Sequence, residues 1–158
     1  METQEIALRP FRPQDQAAVR ALVLAGLGDH WGWIDETINP DLDDIAGVYV
    51  AAGAAVVVAW LGDEVVGAGT LVAEGADAGR LVRMSVSRDH RGRGIGRTLV
   101  RHLLDEARAR GYRRVHVETT ETWADAIGLY RACGFQIEGY RDGDVHMLLE
   151  LDQERTAG

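Results

Sequence analysis

The sequence predicts one α/β domain built on a single mixed sheet with helices on both faces. Three observations carry this. First, strand and helix patterns follow one another as β-α-α-β-β-β-α-β-α-β-β, about seven strands and four helices, neither strictly alternating nor segregated. Second, the stretch 79–120 reads as strand, helix, strand, which calls for a parallel pair with a right-handed crossover. Third, Gly62-Asp63 and "RDGD" at 141–144 join consecutive strand patterns as hairpins.

The elements follow in order. "EIALRPF" (5–11) reads as an edge strand. Val19, Leu22, Val23 and Leu27 then recur at helical spacing, with Gly26 and Gly28 expected to end that helix. A turn-rich stretch leads to a short helix opened by Asn39-Pro40, with Leu42, Ile45 and Val48 on one face. Two β-rich runs flank Gly62-Asp63, and "GRLVRMSVS" (79–87) is a further strand. Ile95, Leu99, Leu103, Leu104 and Ala107 mark the next helix, which Gly111 closes. "RRVHVETT" (113–120) alternates as a strand, "WADAIGLYRACGF" is a short helix ended by Gly134, and "FQIEGY" and "VHMLLEL" finish as strands.

The 158 residues suit one domain spanning 1–158, and 46% hydrophobic residues suffice for a core. The net charge of −8 makes nucleic acid and anionic membrane poor default partners. No run approaches the roughly 18 apolar residues of a membrane helix, and "METQEIALRPF" does not read as a signal peptide. One cysteine forms no internal disulfide, and no metal cluster is expected. These points favour a cytoplasmic protein.

The informative stretch is "RDHRGRGIGRTL" (88–99), where glycines and arginines crowd one strand-to-helix corner. A helix start leaves N–H groups unpaired and adds a partial positive charge. Glycines let a ligand approach that backbone. Together they make a phosphate cradle, with Gly92, Gly94 and Gly96 giving space and Arg91, Arg93 and Arg97 giving charge. The dinucleotide and P-loop glycine patterns are both absent. A tight turn with solvated arginines is the plain alternative.

Arg91-Gly92-Arg93-Gly94-Ile95-Gly96 resembles the acyl-CoA signature of the GNAT superfamily of N-acetyltransferases, [RQ]-x-x-G-x-[GA]. The resemblance runs from about Gly79 to Leu151 and includes "AIGLYRACGF". It implies a GNAT fold with a mostly antiparallel, splayed sheet, acetyl-CoA as cofactor and an amine acceptor. It implies that the loop Arg91 to Gly96 and the helix start, with Arg97 and Thr98, hold the CoA pyrophosphate. Met84, Ser85 and Val86 would bond the pantetheine arm, and the N–H of Ser85 or Val86 would meet the thioester carbonyl. A bulge would part this strand from 115–119.

Direct acetyl transfer needs a neutral amine, a donor for the oxyanion and a proton source for the thiolate. Tyr130 matches the tyrosine that the family places near the CoA sulfur. Relatives often carry a glutamate where this chain has Arg80, so the base must lie elsewhere. Glu118 is the nearest substitute, with a water relay as alternative. Trp123 stands where relatives often have a CoA-contacting asparagine. It either packs beside the cofactor or braces the helix start. Cys133 reads as a small core residue.

The resemblance places the acceptor pocket between the N-terminal helices and the last hairpin. Trp31, Glu36 and His146 are the candidates there, a cation site being one reading. Asp41, Asp43 and Asp44 read instead as complements to a helix dipole. Family members often pair, so a homodimer is open. Two rivals stand beside the enzyme: a CoA-binding sensor without turnover, and an RNA-binding module that the acidic balance disfavours.

Overall fold

The computed structural model describes residues 5–31 and 39–151 of the chain. Seven strands form one sheet: β1 (Ile6–Pro10), β2 (Ala55–Leu61), β3 (Glu64–Ala73), β4 (Ala78–Val86), β5 (Arg114–Thr120), β6 (Gln136–Arg141) and β7 (Asp144–Glu150). Their spatial order is β1-β2-β3-β4-β5-β7-β6, with β4 and β5 parallel and every other pair antiparallel. Both expected hairpins form. Gly62 has φ 61°, and Asp142 and Gly143 have φ 54° and 83°, the left-handed pair that a tight hairpin demands.

Three helices pack on the sheet: α1 (Gln16–Trp31), α2 (Ile95–Ala109) and α3 (Ala124–Ala132). Alternation along β2 divides the core in two. Val57 and Ala59 face α2 with Leu99, Val100, Leu103 and Leu104. Val56 and Val58 face α1 with Val19, Val23 and Leu24. The α2 stripe is the cleanest, with Ile95, Leu99, Leu103, Leu104 and Ala107 all buried as their 3.6-residue spacing requires.

Two expected boundaries moved. α1 runs through Gly26 and Gly28 to Trp31. Glycine in a helix costs only about 1 kcal/mol against alanine, and packing outweighs that. Gly26 serves instead as a close approach, since a Cβ there would lie 2.9 Å from Ser85 Oγ on β4. The short helix expected after Asn39-Pro40 splits into a 3₁₀ turn (Pro40–Asp43) and a π-helical turn (Ala46–Val50). Asp44, at φ −149°, breaks it and accepts the Gly47 N–H through Oδ1 at 2.9 Å. Leu42 and Ile45 are buried as expected, but Val48 is 44% exposed.

The sheet is split down its middle. Ala68 opposes Ser85 while Thr70 opposes Val82, so β4 carries one extra residue opposite Gly69. That bulge falls at Arg83-Met84, and Arg83 has a left-handed φ of 53°. Beyond it β4 leaves β5: their pairing runs from Ala78/Arg114 to Leu81/Val117 and ends there. The slot opens between Val82–Val86 and Glu118–Thr120.

Gly67 sets how deeply α2 sits against β3 and the end of β4. A Cβ at Gly67 would lie 2.9 Å from Leu99 Cδ1, 3.1 Å from Ile95 Cγ2 and 3.3 Å from the Ser85 carbonyl oxygen. Gly67→Ala is expected to cost about 1–3 kcal/mol by overpacking, read from the urea midpoint. An unchanged midpoint would mean that α2 can back away freely.

Candidate active site

The corner after β4 is built by backbone. Ser87 N–H donates to the Val66 carbonyl at 2.8 Å, which holds the end of β4 against β3. Backbone groups alternate sides along a strand, so the Val86 N–H and carbonyl turn to the slot. The Val86 oxygen accepts from Arg91 Nε at 3.2 Å. Gly92 and Gly94 then adopt φ 80° and 83°, and a Cβ on either would meet nothing within 4 Å. Few other residues take this conformation without strain. The result is an open concavity at the first turn of α2, floored by the N–H groups of Ile95, Gly96 and Arg97, which have no carbonyl within the helix to bond.

The predicted corner residues divide by what they offer. Arg91, Arg93 and Arg97 are exposed around the concavity. Ile95 is buried and offers only its N–H. Gly96 serves packing too, since a Cβ there would come 3.0 Å from Leu129 Cδ2 on α3. Thr98 differs from expectation: its N–H and its hydroxyl both donate to the Gly94 carbonyl, at 3.0 and 2.9 Å. In that arrangement it has no donor left for a phosphate. Met84 is in the bulge and fills the space above Gly69, and Ser85 follows it.

Tyr130 lies on α3 with its ring buried and edge-on to Phe135, centroids 5.7 Å apart. Among the described residues its hydroxyl has no hydrogen-bond partner. Burial pushes the phenol well above its ordinary pKa, with a smaller upward push from Cys133. Cys133 is half-buried, and burial raises its thiol against the pull of Arg97 and Arg101. Trp123 caps α3, its N–H donating to the Thr120 carbonyl at 2.9 Å, and is half-buried.

Glu118 is the first residue of β5 past the last pair with β4. Its Oε1 accepts from Arg80 Nη1 at 2.8 Å, and Arg80 Nε donates to Glu74 at 2.7 Å. These bonds, the one to Glu74 foremost, raise the guanidinium further against its burial. His146 stands directly across from Glu118 on β7. Glu118 and His146, read from the sequence as separate candidates, are therefore neighbours. Trp31 ends α1, its side chain outside the described residues, and Glu36 lies outside them altogether.

Sequence reading missed the network on the opposite wall. Arg83 binds Asp41 through two bonds, Nε to Oδ2 at 2.9 Å and Nη2 to Oδ1 at 2.7 Å, and donates to Asn39 Oδ1 at 3.1 Å. The Tyr49 hydroxyl donates to Asp41 Oδ2 at 2.6 Å. Asp41 thus does not simply complement a dipole; it ties the 39–50 segment to the bulge. Asp43 binds Arg20 at 3.0 Å and Asp44 caps a turn. The available signal was Arg83 itself, a second arginine within the β4 strand pattern.

The site is thus a mixed sheet split between β4 and β5, with the N-terminus of α2 at the mouth of the split. Comparison with known proteins gives the class its name. The model of the Acetyltransferase (GNAT) family matches residues 18–135, and the chain belongs to that family. N-acetyltransferase 8F1 of Rattus norvegicus is 38% identical over 120 residues, which is 72% of this chain and 54% of that protein. The protein described as "Uncharacterized N-acetyltransferase YjgM" of Escherichia coli (strain K12) is 29% identical over 94% of this chain and 96% of its own length. The chain spans about half the length of the first curated relatives it matches. In fold it resembles the paiA N-acetyltransferase of Thermoplasma acidophilum, solved in complex with coenzyme A, with a TM-score of 0.83 at 14% identity, over 93% of this chain and 99% of that one. Among the described residues no helix is long and apolar enough to cross a membrane.

Proposed function

We propose that the chain is an acetyl-CoA-dependent N-acetyltransferase that moves the acetyl group to a primary amine, on a small molecule or a peptide or protein, by direct attack in a ternary complex. The observation that carries this is the end of β4–β5 pairing at Leu81/Val117, with the α2 N-terminus at the slot's mouth. The fit to the cofactor rests on the open space at Gly92 and Gly94, where a Cβ would meet nothing within 4 Å, beside the unpaired N–H groups of the α2 start.

In this reading the N–H groups of Ile95, Gly96 and Arg97, with Arg91 and Arg93, hold the diphosphate. Met84, Ser85 and Val86 line the pantetheine arm. Of the two amides considered, Val86 N–H is the oxyanion donor, because it turns to the slot. Trp123 flanks the cofactor at the start of α3. Glu118 takes the acceptor's proton, and Tyr130 donates to the departing sulfur. We place the protein in the cytoplasm, in keeping with its one free cysteine.

The test is thiol release from acetyl-CoA across a panel of polyamines, amino acids, aminoglycosides and peptide N-termini. All 17 basic residues are arginine, so no side-chain amine of the chain competes as acceptor. Release without added amine then reports hydrolysis. Binding without amine-dependent release would favour the sensor reading, to which Arg80 in the family's glutamate position lends support. Gly94→Ala is expected to weaken coenzyme A binding about tenfold in calorimetry, since its Cβ enters the cradle and its φ becomes strained. Unchanged affinity would remove the corner as the phosphate seat.

A further inference from the structure

Glu74 just past β3, Arg80 on β4, Glu118 on β5 and His146 on β7 form one chain of neighbouring polar side chains. Arg80 occupies Glu118 Oε1, and Glu118 Oε2 lies 3.4 Å from His146 Nδ1. Glu118 and His146 are direct cross-strand partners, the placement that brings side chains of two antiparallel strands closest. On its other flank His146 faces Gly139 of β6, where a Cβ would meet nothing within 4 Å. The ring therefore has room to turn away from Glu118. The other titratable or charged groups around it are Arg80 behind Glu118, His116 and Glu138 (3.9 Å apart) one step along the face, and Asp144 two residues back on β7.

We propose that Glu118 Oε2 is the seat of the acceptor's ammonium group and that His146 competes for it. Protonated, the imidazolium takes Oε2 and shuts the acceptor out. Neutral, the ring releases it. This assignment rests on the N-acetyltransferase reading. Oε1 is held by Arg80, so Oε2 is the oxygen left to receive a primary ammonium ion. Seated there, the nitrogen stands where β4 and β5 part. One of its protons passes to Glu118 and on to solvent. The freed lone pair forms the C–N bond, the C–S bond breaks with its electron pair on sulfur, and a second nitrogen proton ends on the thiolate.

Two measurements decide it. The first is the KM of the best acceptor from the panel, for the protein and for His146→Gln, between about pH 7.5 and 5.5, where imidazoles titrate and carboxylates mostly do not. Loss of the acceptor's neutral form affects both proteins and cancels in their ratio. The KM ratio of protein to variant is expected to rise towards low pH, by up to about tenfold per unit for a one-proton competition, with the kcat ratio flat. A constant KM ratio, or a change confined to kcat, would overturn the proposal. The second needs no acceptor: the ring N–H signal of His146 by NMR at about pH 5.5, in the protein and in Glu118→Gln. A signal protected from exchange by its contact with Oε2 is expected in the protein and lost in the variant, and the same signal in both would overturn the proposal. A panel without any acceptor speaks against the acetyltransferase reading, and the ring signal still decides this one.

Discussion

Tyr130→Phe is expected to lower kcat for amine-dependent thiol release about a hundredfold while leaving coenzyme A affinity within about twofold. That factor corresponds to about 2.7 kcal/mol of lost transition-state stabilisation. The ring stays, with its edge-on contact to Phe135, so binding surface and packing survive the change. Only the hydroxyl goes, and it has no partner among the described residues to leave stranded. The unfolding midpoint is therefore expected to hold. Burial raises the phenol's pKa, so it keeps its proton throughout the neutral and mildly alkaline range. A thiol of ordinary pKa, about 8.5, is the stronger acid of the two. Full transfer of the phenolic proton to sulfur is uphill, so the role that fits is hydrogen-bond donor to the developing thiolate. Such a bond strengthens as charge builds on sulfur, which is why its loss falls on kcat and not on binding. No alkaline limb in the rate from this group is expected below pH 10. Calorimetry and a stopped thiol assay on the same preparations would read both numbers. An unchanged kcat would remove Tyr130 from the chemistry.

The sequence made legible whatever rests on local spacing. The α2 stripe, both hairpins and the glycine corner are read from residues within a few positions of each other, and each forms as expected. The parallel pair followed from the length of the connection between β4 and β5. What local spacing does not carry is partnership across the fold. Asp41 sits beside Pro40 at a turn start, which reads as dipole complementation, yet its partner is Arg83 on β4, 42 positions away. Gly26 reads as a helix stop because the strand against which it packs cannot be seen from its neighbours. The bulge at Arg83 is the same kind of case. Its φ is left-handed and its side chain is bonded to Asn39 and Asp41, and the residue type gives no hint of either. Glu118 and His146 were separate candidates, and only the β5–β7 register brings them face to face.

The stability of the split itself is expected to hinge on Asp41. Burial alone would raise this carboxyl's pKa, but bonds from Arg83 and Tyr49 outweigh it and hold the pKa below the ordinary aspartate value. A carboxyl depressed on folding adds stability that is complete above its unfolded pKa and lost as pH falls through the folded one. Asp41→Asn removes that contribution at every pH. At pH 7 the loss is expected to be about 2–3 kcal/mol, because Arg83 keeps only a quarter of its side chain exposed and would face a neutral amide in place of two charged bonds. Urea unfolding at pH 7 and at about pH 3 reads the difference, and the gap between protein and variant is expected to narrow at the lower pH. The consequence for function follows from where Arg83 lies. A left-handed φ on a non-glycine residue costs of order 1–3 kcal/mol and persists only when surrounding contacts impose it. Without its bidentate partner the bulge is free to relax towards regular pairing with β3, which shifts Met84 to Val86 along the slot. Coenzyme A binding is then expected to weaken in Asp41→Asn although Asp41 bonds Arg83 and Tyr49 and none of the residues at the α2 start. A variant with full coenzyme A affinity and wild-type stability at pH 7 would show that the bulge holds its shape from the sheet alone.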